Sequence, residues 1–277
     1  MAMSYSPIYS KNNVIVIDRT RSVDPINHVL ALSIQNQGTS KVYYKLAESS
    51  GSWSIALPSD GKLGSVDSGT TGYFNVTLQR ALPASDIIET IDFTLEAYSD
   101  SGYSNLIDSV DFSITVIIAD IHNWPNYTKY DFDDGTTQGW TLGGYMSISN
   151  AKSIGAGGYA VYIKETSGFG KVTSMTKSVT VPNNNRAVMV FYINYHNTDF
   201  GVNYVAVKVN GNTIYRAGAS GNAILYPIGS NATRWDIIGV DLSDYAGQSV
   251  TIDIEIGIGG FGECFIDEII FAGTNAL

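Results

Sequence analysis

Apolar and polar residues alternate with a period of two along most of the chain. No window of eleven or more residues repeats apolar positions at i, i+3, i+4 and i+7 between caps, so the pattern predicts strands rather than helices. In the first half it places them at Val14–Ile17, His28–Ile34, Lys41–Leu46, Trp53–Leu57, Gly72–Leu78, Thr90–Tyr98 and Asp111–Ile118. Turn chemistry separates them, as in Asn36-Gln37-Gly38, Pro58-Ser59-Asp60-Gly61 and Ser99-Asp100-Ser101-Gly102. Short strands at such intervals predict a β-sandwich.

Residues 119–129 break this pattern with His122, Trp124 and Pro125. They read as a linker that Pro125 stiffens, with Trp124 packing between domains. Beyond it, strands are predicted at Tyr159–Glu165, Val172–Val181, Ala187–Tyr195, Tyr204–Val209, Asn212–Ala217, Arg234–Asp241, Ser249–Gly257 and Cys264–Ala272. That strand count over about 140 residues suits a jelly roll. The expected fold class is all-β with two β-sandwich domains: 1–7 a disordered, cloning-derived start, 8–120 the first sandwich, 121–129 the linker and 130–277 the jelly roll.

Length and composition agree with that division. At roughly 150 residues per domain, 277 residues make two domains, each able to bury a core. Lys plus Arg is 16 against 26 Asp plus Glu, a net charge of −10. With no basic patch to neutralise phosphates, nucleic acid and anionic membrane surfaces are excluded as expected partners. No apolar run approaches the roughly 20 residues of a membrane span, and no charged-then-apolar leader opens the chain. Cys264 is the single cysteine and reads as a buried small hydrophobe beside Phe265 and Ile266. Glycosylation triplets begin at Asn75, Asn126 and Asn231, which agrees with a secreted, extracellular or cell-surface protein.

Two resemblances sharpen the picture. Leu30 to Gly38, the Trp53 strand and Gly72 to Leu78 resemble the immunoglobulin-like or fibronectin-like accessory modules found beside carbohydrate-binding domains in secreted glycosidases. In the second half, three segments resemble the galactose-binding-like jelly rolls that include many carbohydrate-binding modules. They are Phe132-Asp133-Asp134-Gly135 to Gly139-Trp140, the hairpin Val207 to Ile214 with its Asn210-Gly211 turn, and Trp235 to Ile254 closed by Phe265 to Ile269. In that family a structural calcium often sits where the first and last strands meet. The resemblance implies Ca²⁺ held by Asp133, Asp134 and Asp267, with Asp131 or Glu268 equally able to face the site. It also implies that Trp140 packs in the core.

Glycan recognition needs aromatic faces against the apolar C–H surface of a sugar, with amides, carboxylates or Arg for its hydroxyls. A strand reaching His196 places Tyr192, Asn194 and His196 on one face, and Tyr162, Tyr204, Arg216 and Trp235 complete a platform. Tyr145, Tyr159 and Phe261, in or beside Gly-rich loops, form an alternative site at one end of the sandwich. Asp253 and Glu255 stand two apart on one strand face, a spacing a glycosidase could use, but alternation with Ile252, Ile254 and Ile256 reads as the polar face of a half-buried strand. Gly257 to Gly262 matches a dinucleotide-loop pattern yet opens no helix. His28, His122 and His196 are scattered, and no G-x-S-x-G elbow occurs. The expectation is a non-catalytic carbohydrate-binding fragment of a secreted protein that recognises a polysaccharide or cell-surface glycan, with other domains or self-assembly as further partners. The alternatives are a structural or adhesive surface protein, such as a surface-layer, pilus or virion-fibre subunit, and a glycosidase using Asp253 and Glu255.

Overall fold

The structure is a computed structural model that describes residues 3–7, 14–22, 24–154, 157–166, 170–196, 202–218, 235–258 and 262–276. In the first half the strands are β1 (Met3–Pro7), β2 (Val14–Asp18), β3 (Ile26–Asn36), β4 (Val42–Ser50), β5 (Ser54–Leu57), β6 (Lys62–Val66), β7 (Thr71–Arg80), β8 (Ile87–Tyr98) and β9 (Leu106–Ala119). The second half adds β10 (Asn126–Tyr130), β11 (Thr141–Leu142), β12 (Met146–Ser149), β13 (Ala160–Lys164), β14 (Lys171–Thr180), β15 (Arg186–His196), β16 (Val202–Val209), β17 (Asn212–Gly218), β18 (Asp236–Asp241), β19 (Ser249–Ile258) and β20 (Glu263–Thr274). Among the described residues the helical elements are short 3₁₀ turns at Arg19–Arg21, Ile121–Asn123 and Ser243–Tyr245. None is long and apolar enough to cross a membrane.

Every segment expected from alternation forms a strand, although Arg234 lies outside the described residues. The expected start at residues 1–7 is corrected: Met3–Pro7 pairs antiparallel with β3 as an edge strand. Asn126–Tyr130, of which residues 126–129 were expected in the linker because Trp124 and Pro125 interrupt alternation, is likewise a strand, paired with the C-terminal part of β20. Its pattern is masked because it is half-exposed on both faces. Strand β6 also escapes the period-two reading, since Gly64 within it adopts φ 112°.

The first-half strands form two sheets, ordered β1-β3-β7-β5 and β2-β9-β8-β4-β6. Between them Leu30, Leu32, Ile34, Val76 and Leu78 meet Tyr44, Leu46, Phe93, Leu95, Ile114 and Val116 in one core. In the second half, the sheet β12-β13-β20-β15-β18, with β10 also on β20, faces the sheet β11-β14-β19-β16-β17. Met189, Phe191, Ile193 and Ile266 pack there against Val205, Val207, Ile252 and Ile254, with Phe132 and Trp140 closing the core. Trp140 thus packs as expected. The β16–β17 hairpin turns at Asn210 (φ 50°) and Gly211 (φ 80°), the positive pair a type I′ turn requires.

A third apolar cluster joins the two halves. Strand β2 reads Val-Ile-Val-Ile-Asp and is buried at every position, as a strand covered on both faces should be. Ile15 and Ile17 enter the first core, while Val14 and Val16 join Ile117, Ala119, Ile121 and Trp124 against Val188, Val190, Tyr192, Ile270 and Ala272 of the second half. Each such buried side chain contributes roughly 1.5–3 kcal/mol, against about 0–1 kcal/mol for an exposed ion pair, so apolar burial dominates the contact. Gly239 on β18 permits its closest point: a Cβ there would lie 2.4 Å from Val16 Cβ and 2.6 Å from the Val16 carbonyl oxygen. Because strand backbone cannot yield cheaply, Gly239→Val is expected to cost about 3 kcal/mol of stability. Equilibrium urea unfolding would reveal it, and an unchanged midpoint would refute the close approach.

Candidate functional site

Strands β13, β20, β15 and β18 lie side by side, and antiparallel partners share a face. Tyr162 is opposite Phe265, Phe265 opposite Asn194, Glu263 opposite both Lys164 and His196, and Asp267 opposite Tyr192. Strand β15 persists to His196, so Tyr192, Asn194 and the His196 position share a face with Tyr162, as their spacing implied. The His196 side chain itself lies outside the described residues.

Packing divides this face into two halves. One half, Val188, Val190, Tyr192, Ile270 and Ala272, is covered by the first sandwich. The other carries a ring stack, Tyr162 on Phe265 with centroids 4.9 Å apart and planes at 25°. Lys152 Nζ sits 5.9 Å from the Phe265 centroid and donates to Asn194 Oδ1 at 3.4 Å. Lys164 Nζ lies 2.6 Å from Glu263 Oε1 at the open edge. Burial, aided by the hydrogen bond to Glu263, raises the Tyr162 phenol above its usual range, so it remains a neutral donor. Tyr162 is half-buried, Lys164 is exposed, and Phe265 and Asn194 are buried. Phe265, Lys152, Lys164 and Glu263 were missed in the sequence: Phe265 sits in an apolar run that reads as core, register brings Glu263 beside Lys164, two residues from Tyr162 on β13, and the β12–β13 connection brings Lys152.

A bulge ends this open half. Val190 pairs with Ile270 but Tyr192 with Asp267, so β20 carries one extra residue, and Glu268 there adopts φ 45°. Glu268 consequently turns toward the first sandwich, where Arg21 pairs with it at 2.5 Å.

Four platform residues need correction. Asn194 is 0% exposed, with its amide oxygen bonded to Lys152. Tyr192 is 2% exposed because its hydroxyl donates to buried Asp18 while the Arg21 guanidinium caps its ring at 4.8 Å. Trp235 is half-buried and packs against the inter-sandwich cluster instead of the stack. Tyr204 lies on the opposite sheet, 6% exposed, with one ring face against Gly257, where a Cβ would lie 2.3 Å from Tyr204 Cε1. The Arg216 guanidinium lies 4.0 Å from the Tyr204 centroid, so that ring has no face free for a sugar and Arg216 is held there with it.

On the same face Glu255 accepts from the Tyr204 hydroxyl at 2.9 Å and from Lys208 at 2.6 Å. Burial would push its carboxyl up, but those bonds and the Lys208 and Arg216 charges hold it below the ordinary value. Asp253, by contrast, is raised, first by burial and then by Glu255. Both oxygens of Glu255 are engaged, as in a structural ion pair. Of the loop alternatives, Tyr145 is exposed and Tyr159 packs against the core, while Phe261 lies outside the described residues.

The three calcium candidates part company. Asp267 is 1% exposed; its Oδ2 accepts from Ile154 N at 2.9 Å and its Oδ1 from Glu268 N at 2.7 Å. Burial pushes its carboxyl up to about 7, and the Glu268 and Asp133 charges add to the rise. Asp133 accepts from Tyr159 N at 3.3 Å, over Gly158, where any Cβ would strike its Oδ1. Asp134 turns away to accept from Thr136 N and Oγ1 at 2.9 and 2.8 Å. Among the described residues no group of three or more His, Cys, Asp or Glu is placed to hold a metal ion. Asp133 and Asp267 remain a pair whose charge a cation would offset, with oxygens of the kind calcium takes. Asp134 does not fit.

No family model and no curated protein matches the chain. Similar solved structures include TmCBM61 in complex with β-1,4-galactotriose, at 16% identity and TM-score 0.38, covering 51% of this chain and 94% of that one. The K1 cleaved adhesin domain of Lys-gingipain from Porphyromonas gingivalis W83 matches at 14% identity and TM-score 0.41, covering 54% and 99%. The CBM22-1 xylan-binding domain from Paenibacillus barcinonensis Xyn10C matches at 19% identity and TM-score 0.38, covering 54% and 95%. Likeness at this level carries no argument about ligand.

Proposed function

We propose that the open half of the β13–β20–β15 face binds a neutral glycan without catalysing a reaction, in a protein that works outside the cell. The observation that carries this reading is the half-buried Tyr162 ring, backed by buried Phe265 and rimmed by Lys152, Lys164 and Glu263. A sugar has an apolar C–H face and a rim of hydroxyls, and this half-face offers the ring carbon of Tyr162 beside amine and carboxylate groups. The net charge of −10 disfavours a polyanionic glycan. The saturated bonding of Glu255 supports a non-catalytic role. A calcium ion held by Asp133 and Asp267, with backbone carbonyls and water completing its shell, belongs to the same proposal; when bound it would neutralise the acidic pair beside the binding face.

Removing the ring at Tyr162 tests the site. Tyr162→Ala is expected to weaken binding to soluble xylan or β-1,4-galactan about tenfold, the worth of one stacking contact of roughly 1.4 kcal/mol, whereas Tyr162→Phe retains most affinity. Titration calorimetry would read both. Equal binding by Tyr162→Ala, or no binding of any neutral polysaccharide by the parent protein at millimolar sugar, would sink the reading.

A further inference from the structure

We propose that the first sandwich carries a second saccharide-binding face of its own, built on Tyr43 and Tyr103 with Tyr98 packed against them, making the chain bivalent. The inference is independent of the site around Tyr162.

The solvent face of the β2-β9-β8-β4-β6 sheet has its tyrosines in one place. Tyr43 lies opposite Tyr98, and Tyr98 opposite Leu106, so these residues form a row across three strands. With strands about 4.8 Å apart, the row spans roughly 10 Å. Alternation sends the neighbours Tyr44 and Ala97 inward to the core, which is why this row lies on the other face; Tyr98 is 8% exposed there, so the half-exposed rings of Tyr43 and Tyr103 supply the accessible surface and Tyr98 supports them. From the β8–β9 turn Tyr103 adds a third ring, edge-on to Tyr43 at 6.1 Å and to Tyr98 at 5.4 Å.

The turn holds that ring in place. Asp100 accepts hydrogen bonds from Gly102 N at 3.1 Å, Ser104 Oγ at 2.9 Å and Asn105 N at 2.8 Å. Inside this cage Tyr103 takes φ 55°, a left-handed backbone rare for a bulky residue. Leu106 and Ile107 follow, 54% and 39% exposed, two of the exposed large hydrophobics among the described residues. Hydrogen-bonding groups flank the rings on the next row: Lys62 Nζ lies 5.4 Å from the Tyr103 centroid, Glu96 Oε2 accepts from the Tyr98 hydroxyl at 2.7 Å, and Lys45 reaches Glu96 at 3.5 Å.

The mixture favours a saccharide over a protein. Cores of protein interfaces are depleted of charged residues, whereas here the Lys62 ammonium stands over Tyr103 and the Glu96 carboxylate bonds the Tyr98 hydroxyl. Rings interleaved with donors and acceptors match a sugar's apolar face and hydroxyl rim. Two such faces on one chain would raise retention on a polysaccharide through effective concentration without any new contact.

Tyr103→Asn tests this in the full chain, because Asn tolerates left-handed backbone and leaves the turn intact while deleting the ring. Affinity electrophoresis through gels containing xylan, β-1,4-galactan, mixed-linkage β-glucan or mannan supplies the probes. The expected result is at least a tenfold weaker retention on one of these gels, with an unchanged melting temperature, recovery in Tyr103→Phe, and a further loss when Tyr162→Ala is added. Retention of Tyr103→Asn equal to the parent on every gel, or no retention of the parent on any, overturns the proposal. So does a fall in self-association by sedimentation with sugar retention unchanged, which would make the occupant a second copy of the chain. If Tyr162→Ala abolishes all retention and Tyr103→Asn none, this face fails while the reading around Tyr162 stands; the reverse pattern separates them the other way.

Discussion

Asp18→Ala is expected to remove about 3–5 kcal/mol of stability and to loosen the first sandwich from the second. Asp18 is fully buried at the end of β2. Its Oδ1 accepts from Thr20 N at 3.0 Å and Thr20 Oγ1 at 2.7 Å, and its Oδ2 from the Tyr192 hydroxyl of the second half. His122 Nε2 lies 2.9 Å from the same oxygen, with Nδ1 2.9 Å from the Tyr127 hydroxyl. Since a carboxylate only accepts, Nε2 is the donating nitrogen, and in the neutral imidazole Nδ1 accepts a hydrogen bond from the Tyr127 hydroxyl. Truncating Asp18 leaves several buried donors unpaired at once, and each lost partner costs roughly 1–3 kcal/mol. Urea unfolding would measure the loss, and limited proteolysis between residues 119 and 130 would report the loosening. A loss under 1 kcal/mol with unchanged proteolysis would show that the apolar cluster alone sets the arrangement.

The second large effect concerns pH and calcium. The Asp267 carboxyl ionises near 7 in the folded protein against an ordinary 3.8, chiefly because it is buried. Between pH 4 and 7 the folded state therefore holds a proton that the unfolded state has released. Stability from this group is greatest below pH 4, falls as pH rises, and levels off above 7. At about 1.36 kcal/mol per unit, the full fall is on the order of 4 kcal/mol. Buried His28, whose pKa is lowered to about 4, acts in the opposite direction between pH 4 and 6.5, so the effect is read as a difference: in EDTA the parent should lose stability relative to Asp267→Asn across that window. Calcium should reverse the decline, with the largest rise in melting temperature above pH 7, because a cation competes with the proton for the Asp133–Asp267 pair. Equal melting temperatures in calcium and EDTA at pH 8 would exclude the ion, and a stability difference between parent and Asp267→Asn that stays constant from pH 4 to 7 in EDTA would exclude the raised carboxyl.

Much of the fold was legible from local pattern. Alternation located the strands because one face of each meets a core, and Asn210-Gly211 announced its hairpin because few residues adopt two positive φ values in succession. The same rule failed at Asn126–Tyr130, which is only partly covered on each face, and at Met3–Pro7, an edge strand with a partner on one side only. For the candidate site, spacing correctly put Tyr192, Asn194 and His196 on one face. It could not show that Tyr192 would be buried beneath Arg21, nor that Phe265 lies beside Tyr162, since both depend on segments far away in the chain.

What the sequence determined by itself was an all-β chain whose strand positions, turns and buried tryptophan follow from side-chain period and backbone preference, both local quantities. Tertiary structure alone decided which half of the β13–β20–β15 face stays open. That choice came from the doubly buried β2, the missing Cβ of Gly239 and the extra residue at Glu268, which together seat one sandwich against the other. It likewise split Asp133 from Asp134, adjacent residues that a turn sends in different directions, and set Tyr204 between Gly257 and Arg216. Register and docking pair residues more than a hundred positions apart, and no local period carries that information.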